Sequence, residues 1–231
     1  MRPAPRWLRR TLAAFFLFVL LWQGWYFGWV VWWRYVDPGQ TSFMAMRLAT
    51  LRENNPQAEL RYRWVSYAKI SVSLKRAVIA AEDDKFVDHE GFDWEGIQKA
   101  LEKNQKQGKV VAGGSTISQQ LAKNLFLSGD KTPWRKAQEA LITVWLELLW
   151  DKRRILEVYL NVVEWGEGVF GAEAAAQRYF GSSAGQLAAA QSARLAVMLP
   201  APRKFEKNPQ SAYLNQRTQI ILGRMQHSAV P

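Results

Sequence analysis

Between Glu82 and Asp93 the chain places six acidic side chains in twelve residues, in the order Glu82-Asp83-Asp84-Lys85-Phe86-Val87-Asp88-His89-Glu90-Gly91-Phe92-Asp93. A solvated acidic face has no need of Phe86, Phe92 or Gly91, whereas a site holding carboxylates against an apolar wall does. Desolvation beside Phe86 would raise a carboxyl pKa toward the range useful to a general base. The plainer alternative is that Glu82 and Asp83 cap a helix or pair with Lys85. A second cluster is Gly113-Gly114-Ser115-Thr116-Ile117-Ser118-Gln119-Gln120-Leu121-Ala122-Lys123-Asn124. It offers free N–H groups and hydroxyls at a helix start, which suits an anion, then amides and a cation on the adjoining turns. Alone, Gly-Gly-Ser-Thr is usually only a loop.

A third cluster follows Pro133. Arg135 and Lys136 would serve a phosphate, Arg through its bidentate fork, or else they are ordinary surface cations. Glu139 lies on a stretch that is apolar almost all round, where an unpaired carboxylate is costly. It either takes part in the chemistry or is the structural partner of Arg135 one turn away. His89 reads as a hydrogen-bonding residue that orients its loop, and Asp93 as a helix cap.

Composition narrows the chemistry further. The chain has no cysteine, and His89 and His227 are its only histidines. Disulfides, thiol catalysis and thiolate metal sites are excluded, and neither a His-ligated zinc centre nor a Ser-His-Asp triad has support. Carboxylates remain as the catalytic groups. Net charge is +11, but residues 1–36 hold five arginines and no acid, so 26 basic against 20 acidic residues follow them. That balance suits an anionic membrane surface or a phosphate-bearing substrate. Nucleic acid fits the charge equally well and is disfavoured by the export signal described next.

The elements that must position these residues are helices. Arg2, Arg6, Arg9 and Arg10 precede Thr11 to Trp33, which carries no charge over 23 residues. As a helix this stretch measures about 35 Å, enough to span a bilayer. The arginines before it orient the N-terminus to the cytoplasm. A cleaved signal peptide is the alternative, but the stretch exceeds the usual h-region and no small-x-small site precedes Arg34. Asp37-Pro38-Gly39-Gln40 breaks this helix, and Leu60 to Val65 alternates like a short strand. From Leu74 the pattern is helical and delivers Glu82 at a helix C-terminus. Asp93 starts the next helix, which Asn104 to Lys109 breaks. Ser115 or Thr116 caps a third, on which Thr116, Gln120, Lys123 and Asn124 share a face. Thr132-Pro133 starts the helix of Arg135 and Glu139, and Ser183 to Gln186 reads as the capping-box start of an Ala-rich helix ending near Leu199.

The three clusters, in this order, resemble the peptidoglycan glycosyltransferases, lysozyme-like enzymes that polymerise lipid II. The resemblance covers roughly Leu74 to Pro209, with Lys152 to Asn161 and Tyr179-Phe180-Gly181 matching later, largely structural motifs. It implies a mostly α, lysozyme-like helical glycosyltransferase domain, residues 74–231, preceded by a single transmembrane helix. Residues 1–36 would be the cytoplasmic N-terminus and anchor, and 37–73 a linker. Glu82 resembles the family's catalytic base and Glu139 the carboxylate that assists at the diphosphate. Asp83, Phe86, Gly114, Ser115, Thr116, Gln119, Gln120, Lys123, Asn124, Arg135 and Lys136 match substrate-binding positions. Ser118 stands where the family commonly has Thr and keeps the hydroxyl.

The implied reaction is an inverting β-1,4 transfer of the lipid-linked chain onto the GlcNAc 4-hydroxyl of lipid II, releasing undecaprenyl diphosphate. No cofactor is required, and Mg2+ or Mn2+ at the diphosphate is optional. The implied setting is the inner membrane, single-pass, with the catalytic domain periplasmic and cell-wall synthesis or division proteins as partners. Ser66-Tyr67-Ala68-Lys69 matches Ser-x-x-Lys, but no Lys-Thr-Gly accompanies it, so a monofunctional enzyme is expected. A membrane-anchored muramidase is the first rival. It would have no diphosphate to hold and no use for the cationic clusters. A non-catalytic cell-wall scaffold leaves Glu82 and Glu139 without a purpose.

Overall fold

The computed structural model describes residues 5–109, 113–130 and 132–231. Arg2 of the basic N-terminal cluster lies outside them. Helix α1, Arg6–Trp33, is the one helix among the described residues long and apolar enough to cross a membrane. Its C-terminal half does not stand free. Trp22 stacks on Trp134 with ring centroids 5.9 Å apart, and the Trp150 indole N–H donates to the carbonyl of Val30 across 2.8 Å. The Arg154 guanidinium then closes the helix end, donating to the carbonyls of Trp33 and Val36.

Residues 42–73 pack on the same core as the rest of the domain. They hold α2 (Ser42–Asn54), strand β1 (Arg61–Tyr62) and a 3-10 turn at Tyr67–Lys69. Helix α3, Val72–Glu82, begins two residues before the sequence pattern suggests, because the Ser71 hydroxyl accepts the Leu74 N–H. Helix α4, Trp94–Gln107, runs through the expected break at Asn104. It stops only at Gly108, whose φ of +61° makes it a left-handed cap. Helix α5, Ile117–Phe126, starts with a reciprocal capping box between Thr116 and Gln119. Helix α6, Pro133–Leu149, has Thr132 as cap and Pro133 at its first position, and α7 is Lys152–Val162.

A three-stranded sheet follows. Strands β2 (Glu164–Gly166) and β3 (Val169–Phe170) pair antiparallel, and β1 pairs parallel with β3. Helix α8, Ala172–Phe180, comes next. The Ala-rich helix α9 spans Ala189–Met198 and starts later than the sequence implied. Ser183 to Gln186 forms a separate turn, and the Gln191 side chain, not Gln186, accepts the first free N–H, that of Ala188, across 2.9 Å. The short α10 (Pro202–Phe205) and α11 (Ala212–Arg224) complete the chain.

The core sits where α9 packs between α3 and α11, and where α5 packs against α6 and α7. Ala77, Ala193 and Ala196 are fully buried there, and their small side chains let the helices approach closely. This packing brings the C-terminus of α3, the length of α5 and the first turns of α6 to one place.

Candidate active site

Helix α3 ends by presenting Glu82 to α5. The Gln120 side-chain N–H donates to Glu82 Oε2 across 2.7 Å, and the buried Tyr159 hydroxyl donates to the Gln120 carbonyl oxygen at 3.0 Å. An amide has one donor and one acceptor end, so Tyr159 fixes which end Glu82 meets. The other carboxylate oxygen, Glu82 Oε1, is buried without a hydrogen-bond partner among the described residues. Burial raises the Glu82 pKa above the ordinary carboxylate value. The Gln120 hydrogen bond and the Lys123 charge oppose this shift, and Asp83 adds to it. An elevated pKa and a free lone pair are what a general base requires.

Helix α6 places Glu139 beside the cations. Glu139 is buried and receives ion pairs from Arg135, one turn before it, and from Lys136. Arg135 keeps one donor in reserve, since its buried Nε has no partner among the described residues. Lys136 also reaches Ser115 Oγ at 3.3 Å, tying the start of α6 to the glycine-rich turn. Lys123 lies within electrostatic reach of both carboxylates. Its pKa is lowered chiefly by burial and by Arg135 and Lys136, while Glu139 and Glu82 pull it back up. An unsatisfied buried donor and an unsatisfied buried acceptor thus stand in one constellation. Folds tolerate such atoms where a ligand completes them.

Two cavities flank this constellation. One of about 360 Å³ is lined by Gln120, Lys123, Asn124, Arg47, Glu164, Arg203 and Lys204, among others. The smaller, about 180 Å³, is lined by Glu82, Asp83, Asp84, Gly114, Ser115, Thr116 and Arg224 among its walls. Gly114 allows a close approach there, since a Cβ would sit 3.0 Å from the Ile97 Cα.

Several residues expected to bind substrate are engaged in structural contacts. Phe86 is fully buried, under the Lys152 ammonium at 4.7 Å from the ring centroid, and is a core residue with no surface to offer a ligand. Gln119 is buried, and its side chain is consumed by the capping box with Thr116. The Thr116 hydroxyl donates to the carbonyl of Gly91 at 2.7 Å. Asp83 spends both oxygens on structure, taking the Ile117 N–H and His89 Nε2, each at 2.9 Å. His89 also accepts the Gly91 N–H at 3.1 Å, so it does orient the loop. Asp93 caps α4 through the Gly96 N–H.

Sequence reasoning passed over two pieces of this neighbourhood. Arg47 on α2 forms a buried ion pair with Glu164 at 3.0 Å in the wall of the larger cavity. Arg203 and Lys204 of α10 join them there. Basic residues scattered over so many elements leave no periodic signal, and the charge of Lys204 directly after Arg203 was the one available hint.

The helical domain thus sets a buried carboxylate with a free lone pair near the partly buried cations Lys123 and Arg135. The chain belongs to the transglycosylase family, whose model matches residues 48–226, and its helical domain is lysozyme-like. It is 59% identical to the biosynthetic peptidoglycan transglycosylase of Dechloromonas aromatica (strain RCB), over the whole of both chains. The transglycosylases of the same name from Azoarcus sp. (strain BH72) and Nitrosospira multiformis are 61% and 56% identical, over 100% and 98% of each chain respectively.

Proposed function

We propose that this protein is a peptidoglycan glycosyltransferase that lengthens glycan strands from lipid II. The observation that carries the reading is the pairing of Glu82, with its unpartnered Oε1, and the Lys123–Arg135–Lys136 cluster. Glu82 takes the proton of the GlcNAc 4-hydroxyl of an incoming lipid II. The freed oxygen bonds to C1 of the lipid-linked MurNAc with inversion, and the bond from C1 to the diphosphate oxygen breaks. Undecaprenyl diphosphate leaves with the electron pair. Lys123 and Arg135 neutralise the charge that develops on it, in a site where burial strengthens each contact. Glu139 holds Arg135 and Lys136 in place for that task.

Mg2+ or Mn2+ at the diphosphate is optional in this reading, held by the phosphate oxygens with one or two carboxylates, and no step is routed through it. Helix α1 anchors the protein in the inner membrane as a single pass. Arg6, Arg9 and Arg10 keep its N-terminus cytoplasmic and place the catalytic domain in the periplasm, within reach of cell-wall synthesis or division proteins.

The test is incubation of the full-length protein in detergent with labelled lipid II, beside an assay on isolated sacculi. A ladder of glycan strands with no release from sacculi is expected. Release from sacculi without strand synthesis would make the protein a muramidase, and inactivity in both would make it a scaffold.

A further inference from the structure

Gln23 is the only amide side chain between Thr11 and Trp33. In an apolar span an unpaired amide is costly, and its natural remedy is a polar partner on a neighbouring helix. Gln23 has one, 115 residues away. Its Nε2 donates to Gln138 Oε1 across 2.9 Å, and Gln138 Nε2 donates back to Gln23 Oε1 across 3.0 Å. Both amides use a donor and an acceptor in this two-point contact, so it has a defined direction. Apolar neighbours surround it, with the stacked Trp22 and Trp134 on one side and the Phe27–Trp145 edge contact on the other.

Gln138 directly precedes Glu139, and consecutive helical residues point about 100° apart. With Gln138 held toward α1, Glu139 is held toward Arg135 and Lys136. Apolar packing between two helices tolerates small rotations and slips, whereas a reciprocal amide pair does not. Trp22, Trp134 and Trp145 supply area, and Gln23 supplies the register.

We propose that Gln23, within the anchor helix, is a positioning residue for glycosyl transfer. It locks the rotation of α6 through Gln138 and so sets Glu139 and Arg135 at the leaving diphosphate. The anchor is then part of the active-site framework in addition to being a tether. This rests on the polymerase reading above.

The experiment uses full-length Gln23→Leu, Gln138→Leu and the double variant in vesicles, with lipid II polymerisation and thermal stability both measured. Each single change should lower kcat/KM about three- to tenfold, the weight of one such amide pair. The double variant replaces both amides with apolar groups and should recover thermal stability, since neither partner is left unpaired. It should not recover kcat/KM, because two leucines restore packing without direction. Single variants within twofold of wild type, or a double variant with wild-type kcat/KM, would overturn the proposal. A wild type that makes no glycan strands would overturn the polymerase reading instead, and the positioning role with it.

The absence of native cysteine allows a second arm, Gln23→Cys with Gln138→Cys joined by a short bismaleimide. Crosslinking in vesicles with polymerisation undiminished relative to the unlinked protein is expected. No crosslink, or a crosslink that stops turnover, would overturn the proposal by showing that α1 and α6 are apart or must separate.

Discussion

Gln120 meets Glu82 through its N–H end across 2.7 Å because Tyr159 holds the opposite end of the same amide at 3.0 Å. The pair leaves one Glu82 oxygen free and ties the charge state of the base to a hydroxyl on another helix.

Replacing Glu82 by Gln should therefore abolish polymerisation and leave the fold intact. Loss of a positioned general base costs about 10²–10⁴-fold in rate. The same change should stabilise the protein at neutral pH. Because burial raises the Glu82 pKa, the folded protein retains a proton that the unfolded chain releases, so stability falls as pH rises through that window. Thermal melts from about pH 4 to pH 8 should show wild type and variant converging at the acid end. The variant should pull ahead as pH rises. A variant that melts lower at neutral pH would contradict this account of the buried carboxylate.

Tyr159→Phe should move the acid limb of the pH–rate profile upward. Without the hydroxyl, the Gln120 amide is free to turn, and Glu82 loses the hydrogen bond that opposes the rise in its pKa. A shift of about half to one pH unit is expected, the weight of one hydrogen bond. An unmoved limb would show that Gln120 is oriented by other contacts.

Arg135 and Glu139 should separate in binding and turnover. Arg135→Ala should weaken a donor-mimicking phosphoglycolipid such as moenomycin by about 1.5–3 kcal/mol, or one to two decades in affinity. Glu139→Gln should slow turnover while inhibitor binding persists, because Arg135 and Lys136 remain. If both substitutions only lower the melting temperature, with inhibitor affinity unchanged in the folded variants, the two residues are a structural ion pair. Titration of the inhibitor against each variant, at a temperature where both are folded, distinguishes these outcomes.

Gly91→Ala should destabilise the loop that carries His89. Gly91 has φ of +88°, and a Cβ there would lie 2.8 Å from Thr143 Cγ2. The backbone cost alone is about 1–2 kcal/mol, read as a lower melting temperature. Gly108→Ala shares the positive φ but meets no atom within 4 Å, so it should lose less.

Much of the site was legible in sequence because helical periodicity is local. The spacing of Gln120, Lys123 and Asn124 put them on one face, and one turn joined Arg135 to Glu139. Periodicity does not say what a face meets. Phe86 was assigned to the wall of the site because it follows the carboxylates, but the chain turns at Asp83 and sends the ring beneath Lys152. Gln119 was assigned to substrate because it falls within the family's second motif, whereas the first turn of a helix has its own unpaired N–H groups to satisfy. The start of α9 was misplaced for a related reason, since Ser183 to Gln186 and Ala188 to Gln191 both offer a Gln three residues on. Contacts such as Arg47 with Glu164 and Gln23 with Gln138 span more than a hundred residues. They exist only once the helices have packed.

The docking of α1 on α6 also fixes a waterline. Between Arg10, the last arginine before the apolar span, and the first docked side chain, Trp22, lie eleven residues, about 16 Å of helix. The hydrocarbon core is about 30 Å thick. An α1 that spans the bilayer therefore draws α6 down with it, and Trp134, Leu141, Val144 and Leu148, exposed on α6, meet acyl chains instead of water. The start of α6 beside Trp22, where Arg135 and Lys136 sit, is then the end of that helix drawn deepest toward the bilayer. A lipid-borne substrate reaches them by sliding sideways within its own leaflet, and the search for substrate becomes two-dimensional.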